Sequence, residues 1–171
     1  MIEKTIHDWN ELNDALFEDT WNPHLKRHRS TFAYRGLSSA DYPLSSSLMR
    51  LATPYKKKLE KNLLKQFKKY ARPQVVARDT EWHWLSVAQH HGLPTRLIDW
   101  TYSPLIALHF VTENIANYDK DGAVWKVNYA DVHKHLQGEQ SASLDDLGTK
   151  IFTTEALANT IPDLDALNKS R

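Results

Sequence analysis

The sequence lacks cysteine, long apolar runs and any appreciable net charge. Without cysteine, disulfide scaffolds, thiolate metal sites and cysteine nucleophiles are excluded. No apolar run approaches the roughly 20 residues that a membrane helix needs, and the N-terminal segment has no hydrophobic signal region. The 22 Lys+Arg and 21 Asp+Glu nearly cancel, which excludes a histone-like excess of positive charge. We therefore expect a soluble, cytoplasmic protein.

The length and composition indicate a globular domain. The chain has 171 residues, of which 41% are apolar and 25% charged, enough to bury a core. Helical and strand patterns are mixed, which predicts a single α+β domain with a small, mostly antiparallel sheet flanked by helices. We expect residues 1–140 to form this domain. Residues 141–171, where apolar density falls, are expected to be poorly packed, as a mobile tail or because the chain is shortened.

Local start and stop signals give the predicted elements. Helices are predicted to start at the caps Asp8, Thr53 and Ser103, and another helix is predicted from Thr80 to His91. A weak, exposed helix is predicted from Asp163. Strands are predicted at residues 31–37, 95–100 and 123–129.

The segment between Pro54 and Arg72 is strongly basic. It holds eight basic residues and one acid, Glu60, so it carries +7 and the rest of the chain −6. Its apolar residues recur at the helical period: Tyr55, Leu59, Leu63, Phe67, Tyr70 and Ala71. The pattern predicts a long amphipathic helix that Pro73 ends. Its basic face, Lys56 to Arg72, is either a solvated surface or a binding face for a polyanion or protein partner.

A first cluster with chemical character is the segment FAYRG, residues 32–36. Arg35 lies near the end of a predicted strand, and its fixed fork of donors suits a phosphate or carboxylate. Gly36 would let a ligand approach the backbone. The alternative is a structural arginine paired with an acid.

The second cluster, residues 89–104, is denser in polar and special residues. It places His91, Arg96, Asp99, Thr101 and Ser103 in one folded corner. Each has a structural explanation: His91 suits a helix end, Asp99 would pair with Arg96, and Ser103 would be an N-cap. Their concentration nevertheless favours a functional site.

The sequence predicts neither a metal site nor a standard nucleotide loop. The adjacent His90 and His91 would point about 100° apart on a helix, so they do not easily share one ion. The motifs HExxH, GxGxxG, GxxxxGK[ST] and GxSxG are all missing from the sequence.

These clusters resemble the FRG domain, a family named for its (F/Y)RG motif. The resemblance rests on YRG at residues 34–36, PLSSSLMR at 43–50 and QHHGLPTRLIDWTYSPLIALHF at 89–110, and it covers about residues 5–130. It implies a role in conflict between bacteria and phages.

A weaker similarity is to ADP-ribosyltransferases, which use NAD⁺, and it implies a fold of that type. In one group of those enzymes, an early-strand arginine contacts the dinucleotide and a hydroxyl-rich strand end supports the nicotinamide side. A glutamate on a later strand then directs transfer. Here Arg35 matches the arginine, Thr101 and Ser103 match the hydroxyls, and Glu155 is the nearest candidate for the glutamate.

The resemblance implies an NAD site in which Arg35 holds the diphosphate and Thr101 and Ser103 shape the nicotinamide-ribose pocket. The implied catalytic residues are Arg35, His91, Thr101, Ser103 and Glu155, and the implied NAD-binding residues are Tyr34, Arg35, Gly36, His90, His91, Thr101 and Ser103. Trp100 and Tyr102 would supply stacking surface.

Two other functions stay open at this point. The first is a non-catalytic module that recognises a nucleotide, a nucleic acid or a protein, with the basic helix supplying attraction. The second is a metal-independent nuclease in which His91 acts with Arg96 or Arg35.

Overall fold

The computed structural model describes residues 2–71, 80–132 and 163–169. Its helices are α1 (Trp9–Phe17), α2 (Lys56–Tyr70), α3 (Glu81–His90), α4 (Pro104–Thr112), a 3₁₀ turn (Ile115–Asn117) and α5 (Leu164–Lys169). Its strands are β1 (Trp21–Asn22), β2 (Arg27–His28), β3 (Phe32–Leu37) and β4 (Ala123–Asn128). β1 pairs with β2 and β3 with β4, both antiparallel. The predicted α+β class is confirmed.

The described residues form two compact units. The first contains residues 2–43 and 99–132, and the second contains residues 44–71, 80–98 and 163–169. Both small sheets belong to the first unit, and α2, α3 and α5 belong to the second. Within residues 2–71, 80–132 and 163–169, none of the helices combines the length and apolar character that crossing a bilayer requires.

The predicted helix caps Asp8 and Ser103 are confirmed at atomic level, and Thr80, predicted as a helix start, is also a cap. The side chains of Asp8, Thr80 and Ser103 each accept a hydrogen bond from the backbone N–H three residues on, at 2.9, 3.2 and 3.4 Å. Each bond satisfies a donor that the first helical turn leaves unpaired. Gly92, just past α3, has φ +84°, the left-handed conformation that glycine adopts without strain.

The predicted start of the basic helix at Thr53 is wrong. α2 begins at Lys56, and its N-cap residue, Tyr55, makes no side-chain capping bond. The Thr53 hydroxyl instead accepts from the Tyr55 N–H at 3.3 Å, which closes a local turn before the helix. Arg72 and Pro73 lie outside the described residues.

The two faces of the β3–β4 pair have different surroundings. Tyr34 is fully buried on one face, and its hydroxyl donates to the Leu16 carbonyl oxygen at 3.0 Å. Lys126, opposite Tyr34 in the register, donates to the carbonyl oxygens of Ala15 and Glu18 at 3.2 and 2.8 Å. Burial lowers the pKa of Lys126. This face therefore receives the C-terminal end of α1.

Helix α4 packs on the same face at Gly36. A Cβ atom at Gly36 would lie 1.9 Å from the Ala107 carbonyl oxygen and 3.1 Å from Val111 Cγ2. A Cβ at Gly122 would likewise meet a methyl group of Val111, at 2.2 Å. The missing side chains let the helix backbone approach the strand directly, so the space beside Gly36 holds α4.

The predicted strand at residues 95–100 is not formed. Pairing begins only at Thr101, which forms an isolated antiparallel bridge with Tyr34. The Tyr34 N–H donates to the Thr101 carbonyl oxygen at 2.7 Å, and the Thr101 N–H donates back at 2.9 Å. The apolar pattern of residues 95–100 therefore reflects packing of an irregular segment.

The second unit has its own apolar core, built from α2, α3 and α5. Its buried members are Leu64, Trp82, Trp84, Leu85, Ala88 and Leu164. The final helix is present as predicted, but the expectation that it is exposed is wrong, because Leu164 is only 2% exposed. Its backbone N–H donates to a Glu81 carboxylate oxygen at 2.8 Å. The apolar stripe predicted for α2 is also wrong at its ends, where Tyr55 and Tyr70 are exposed.

A buried ion pair joins α2 to the segment after α3. The Glu60 side chain is 1% exposed and accepts from the Arg96 backbone N–H at 2.9 Å and from its Nε at 2.6 Å. Arg96 Nη1 also donates to Asn168 in α5, at 3.3 Å. The predicted partner of Arg96 was Asp99, and the structure pairs Arg96 with Glu60 instead. Local spacing favoured the nearer acid, whereas the true partner lies 36 residues away.

We expect Gly36→Ala to lower the free energy of unfolding by about 3 kcal/mol, because the added methyl group meets helix backbone that cannot rotate away. Urea denaturation measures this loss. Gly92→Ala is the control, since its Cβ would meet nothing within 4 Å and only the backbone conformation is strained. That control should lose about 1 kcal/mol. Unchanged stability of Gly36→Ala would contradict the packing role.

We expect Arg96→Met to destabilise the protein by about 3–5 kcal/mol, because it leaves the Glu60 carboxylate buried without its partner. Adding Glu60→Leu should restore most of that stability, since no charge then remains buried. The control is Lys61→Met, which removes the exposed ion pair with Asp165 and should cause no measurable change. Equal effects of Arg96→Met and Lys61→Met in urea denaturation would refute the assignment.

Candidate functional site

The bridge between Tyr34 and Thr101 brings two of the predicted motifs together. It places the strand that carries Arg35 beside the hydroxyl-bearing segment at Thr101 and Ser103. The Arg35 guanidinium reaches across this edge, and its Nη1 donates to the Asp99 carbonyl oxygen at 2.6 Å. Arg35 is thereby anchored to the segment that leads into α4.

The two hydroxyl groups of this segment already accept local hydrogen bonds. The Thr101 oxygen accepts from the Ser103 N–H at 3.1 Å, and the Ser103 oxygen accepts from the Ile106 N–H at 3.4 Å. A hydroxyl also has a hydrogen to donate. Within residues 2–71, 80–132 and 163–169, neither of these hydroxyl hydrogens has a protein acceptor. Both groups are structural and retain donor capacity.

Trp125 is the residue at this site that sequence reasoning missed. It lies directly opposite Arg35 in the β3–β4 register. Opposed residues of an antiparallel pair share one face, with Cβ atoms about 5 Å apart. Since Gly36 faces α4, alternation puts Arg35 and Trp125 on the other face of the pair. The alternating pattern of β4 was visible in the sequence, but the sequence does not give the register in which β4 pairs with β3. Trp125 could therefore not be placed opposite Arg35.

Two of the predicted ligand-binding residues serve packing. Tyr34 is fully buried with its hydroxyl bonded to α1, so its side chain belongs to the core. Gly36 was predicted to open the backbone to a ligand, but the carbonyl of Ala107 fills that space. Of the three YRG residues, only Arg35 lies on the face of β3 that points away from α4.

The predicted histidines belong to the second unit. His90 is the last residue of α3 and His91 is its C-cap, with its backbone N–H donating to Val87 at 3.1 Å. Both side chains are exposed, and the His91 ring lies 5.9 Å from the ring of Phe67 between centroids. Arg35, Thr101 and Ser103 belong to the first unit. The structure therefore groups the arginine with the hydroxyls and groups the two histidines with each other.

Much of the polar density in the second motif is explained by Thr95, which is completely buried. Thr95 takes part in five hydrogen bonds, with Ser47 (twice), Leu48, Gln89 and Leu97. Ser47 and Leu48 belong to the PLSSSLMR stretch. The two motifs therefore occur together because they bond to one another, and neither needs a ligand to account for these groups.

The predicted stacking residues and the predicted glutamate have separate outcomes. Trp100 and Tyr102 are both exposed, and the Tyr102 ring makes an edge contact with Tyr129 at 5.7 Å between centroids. They present aromatic surface next to Thr101. Glu155 lies outside the described residues, so its role stays a prediction.

A cavity of about 760 Å³ in the first unit lies elsewhere, along α1 and the N-terminal segment. None of the predicted site residues that the structure describes lines it. Its wall includes Glu11, Asp14 and Glu18, and the hydrogen bond from Lys4 lowers the pKa of Glu18, which keeps that carboxylate ionised. Lys4 also lines this wall and neutralises Glu18, so the remaining acids give the wall a net negative charge that disfavours phosphate groups.

Comparison with known proteins supplies the family. The model of the FRG domain matches residues 30–120, which is more than half of the chain. Neither the comparison with curated proteins nor the comparison with solved structures gives a match. The matched range contains β3, the PLSSSLMR stretch, α2, α3 and the segment from Gln89 to Phe110, so it covers all three motifs described above. The chain belongs to the FRG domain family.

Proposed function

We propose that this FRG domain binds NAD⁺ at the edge of β3 and acts as an ADP-ribosyltransferase-like protein. The observation that supports the proposal is the pairing of Tyr34 with Thr101. It sets an arginine-bearing strand directly beside a hydroxyl-bearing segment that enters a helix, which is the order and arrangement that the resemblance to those enzymes requires.

Arg35 is the proposed anchor for the diphosphate. Its planar guanidinium carries donors in a fixed fork that matches two phosphate oxygens, which a lysine cannot reproduce. The bond to the Asp99 carbonyl oxygen, at 2.6 Å, holds the side chain at the edge of the strand. Arg35 therefore meets the phosphate from a defined position, and positioning is a large part of what a transferase site supplies.

The neighbouring groups suit the sugar and the nicotinamide. Thr101 and Ser103 each keep a hydroxyl hydrogen that can be donated to a ribose or amide oxygen. Trp125 offers an aromatic ring on the same face as Arg35, and flat heterocycles stack on such rings. Anion binding, polar contacts and stacking are thus available around one point of β3.

In such a site NAD⁺ would undergo cleavage of the bond between nicotinamide and ribose. Electrostatic stabilisation of the transition state favours this cleavage. In the proposal, Glu155 provides the carboxylate on the acceptor side. The roles predicted for His90 and His91, which belong to the second unit, stay predictions. The role of Glu155 is proposed from the family resemblance alone.

We expect Arg35→Ala to weaken NAD⁺ binding at least about tenfold, because a charge-assisted, two-bond contact is lost. Arg35→Lys keeps the charge without the fork, and we expect a smaller loss. The measurement is calorimetric titration with NAD⁺, alongside an assay for released nicotinamide. Far-ultraviolet circular dichroism establishes that each variant is folded.

The matched control is Arg27→Ala, which removes an exposed arginine from the same unit. It should bind NAD⁺ like the unaltered protein. Equal binding by folded Arg35→Ala, or no binding by the unaltered protein, would overturn the proposed site.

A further inference from the structure

The solvent face of α2 carries only positive charge. The helix contains seven lysines and one acid, Glu60, and Glu60 is buried against Arg96. The exposed lysines are Lys57, Lys58, Lys61, Lys65 and Lys69. The buried ion pair therefore removes the one carboxylate that would offset them on the helix itself.

Four of these lysines form a stripe that follows the helix and turns gradually about its axis. Lys57, Lys61, Lys65 and Lys69 are spaced four residues apart, so neighbouring ammonium groups lie on the same side of the helix. Like charges at this spacing destabilise a helix. From Lys57 to Lys69 the stripe spans about 18 Å along the helix axis, since each residue advances the helix by about 1.5 Å. That length matches about five nucleotides of a stacked strand.

Internal contacts account for only some of the lysines. Lys56 donates to the Met49 carbonyl oxygen, Lys68 lies 5.5 Å from the centroid of the Trp84 ring, and Lys61 pairs with Asp165. In the part of the chain that the structure describes, Lys57, Lys58, Lys65 and Lys69 make no ion pair. Their charge is directed at solvent.

Exposed tyrosines lie at both ends of the helix. Tyr55, the N-cap residue, is 70% exposed, and Tyr70, the last helical residue, is 86% exposed. Aromatic rings beside a basic surface stack with unpaired bases, whereas the bases of a duplex are stacked on each other and out of reach. This combination of charge and rings favours a single strand over a duplex.

The packing of α2 argues against a lipid surface as the partner. A helix that binds a membrane inserts its apolar face between the lipids. Here that face is occupied, because Leu64 is buried with Trp82 and Trp84, and Phe67 packs against them. Among the described residues, α2 leaves accessible chiefly its charged face and the two tyrosines at its ends.

We propose that the face of α2 formed by Lys57, Lys58, Lys61, Lys65 and Lys69, with Tyr55 and Tyr70 at its ends, binds the phosphate backbone of single-stranded nucleic acid. The lysines neutralise successive phosphates and the tyrosines stack on bases at either end. Because phosphate contacts release counterions, binding weakens as salt rises. This proposal does not depend on the proposed NAD⁺ site.

The test is fluorescence anisotropy of a labelled 12-nucleotide poly-U strand with the whole chain, measured over a series of salt concentrations. We expect the triple variant Lys57→Gln, Lys65→Gln, Lys69→Gln to lower the slope of log affinity against log salt by about two, since each single-strand phosphate contact contributes about 0.7. Tyr55→Ala and Tyr70→Ala should each weaken binding at least about fivefold.

The matched control removes three exposed cations from the first unit: Lys26→Gln, Arg27→Gln, Arg29→Gln. It should leave both affinity and salt slope unchanged, as should Arg35→Ala. The proposal is overturned if the two triple variants lose affinity equally, if a duplex of the same length binds as tightly, or if anionic phosphatidylserine vesicles compete for the same lysines.

Discussion

The Glu60 carboxylate lies in the interior of the second unit, and its ionised form is tolerable there only because Arg96 supplies three of its contacts. Removing a charge from water is costly unless a partner and hydrogen bonds replace the lost hydration. Through this pair, helix α2 is tied to the segment that follows α3, and Arg96 extends the connection to α5 through Asn168. The distribution of charge on the surface follows from the same pair. With the acid of α2 turned inward, the charged side chains that α2 itself exposes are all lysines.

The first unit is organised by alternation along β3. Tyr34 and Gly36 face the two helices, one as a buried ring and the other as an absent side chain. Arg35, between them, faces the opposite side together with Trp125. A shift of one residue in the pairing register would place the Arg35 guanidinium on the face covered by α4 and the Tyr34 ring on the opposite face. Tyr34 and Gly36 of the YRG motif thus meet packing requirements, and their packing fixes the face of β3 on which Arg35 lies.

The sequence predicted the parts of the fold that depend on neighbouring residues. The caps at Asp8 and Ser103 and the helix start at Thr80 are local, because each involves groups within four residues. The partner of Arg96 was missed since Glu60 is distant in the chain, and the proximity of Asp99 was misleading. For the same reason Trp125 was not associated with Arg35. The predicted exposed character of the final helix failed because Leu164 packs against residues of α3 that precede it by some 80 positions.

The candidate site shows a related limit. A dense run of polar residues identifies groups that need partners, but it does not tell whether those partners are protein atoms or a ligand. Thr95 illustrates this, since all of its bonding groups find protein atoms. Arg35, Thr101 and Ser103 could be selected from the sequence, whereas their adjacency depends on the pairing with Tyr34, which no local pattern encodes.

The segment from Thr101 to Ala107 contacts β3 at two points. Thr101 pairs with Tyr34, the chain then enters α4 at Pro104, and the Ala107 carbonyl lies against Gly36. Two fixed contacts hold this short stretch of chain against β3, one on each side of Arg35. An anion bound at Arg35, as we propose, would meet a stretch of chain that folding has already ordered. Less conformational entropy would then be lost on association.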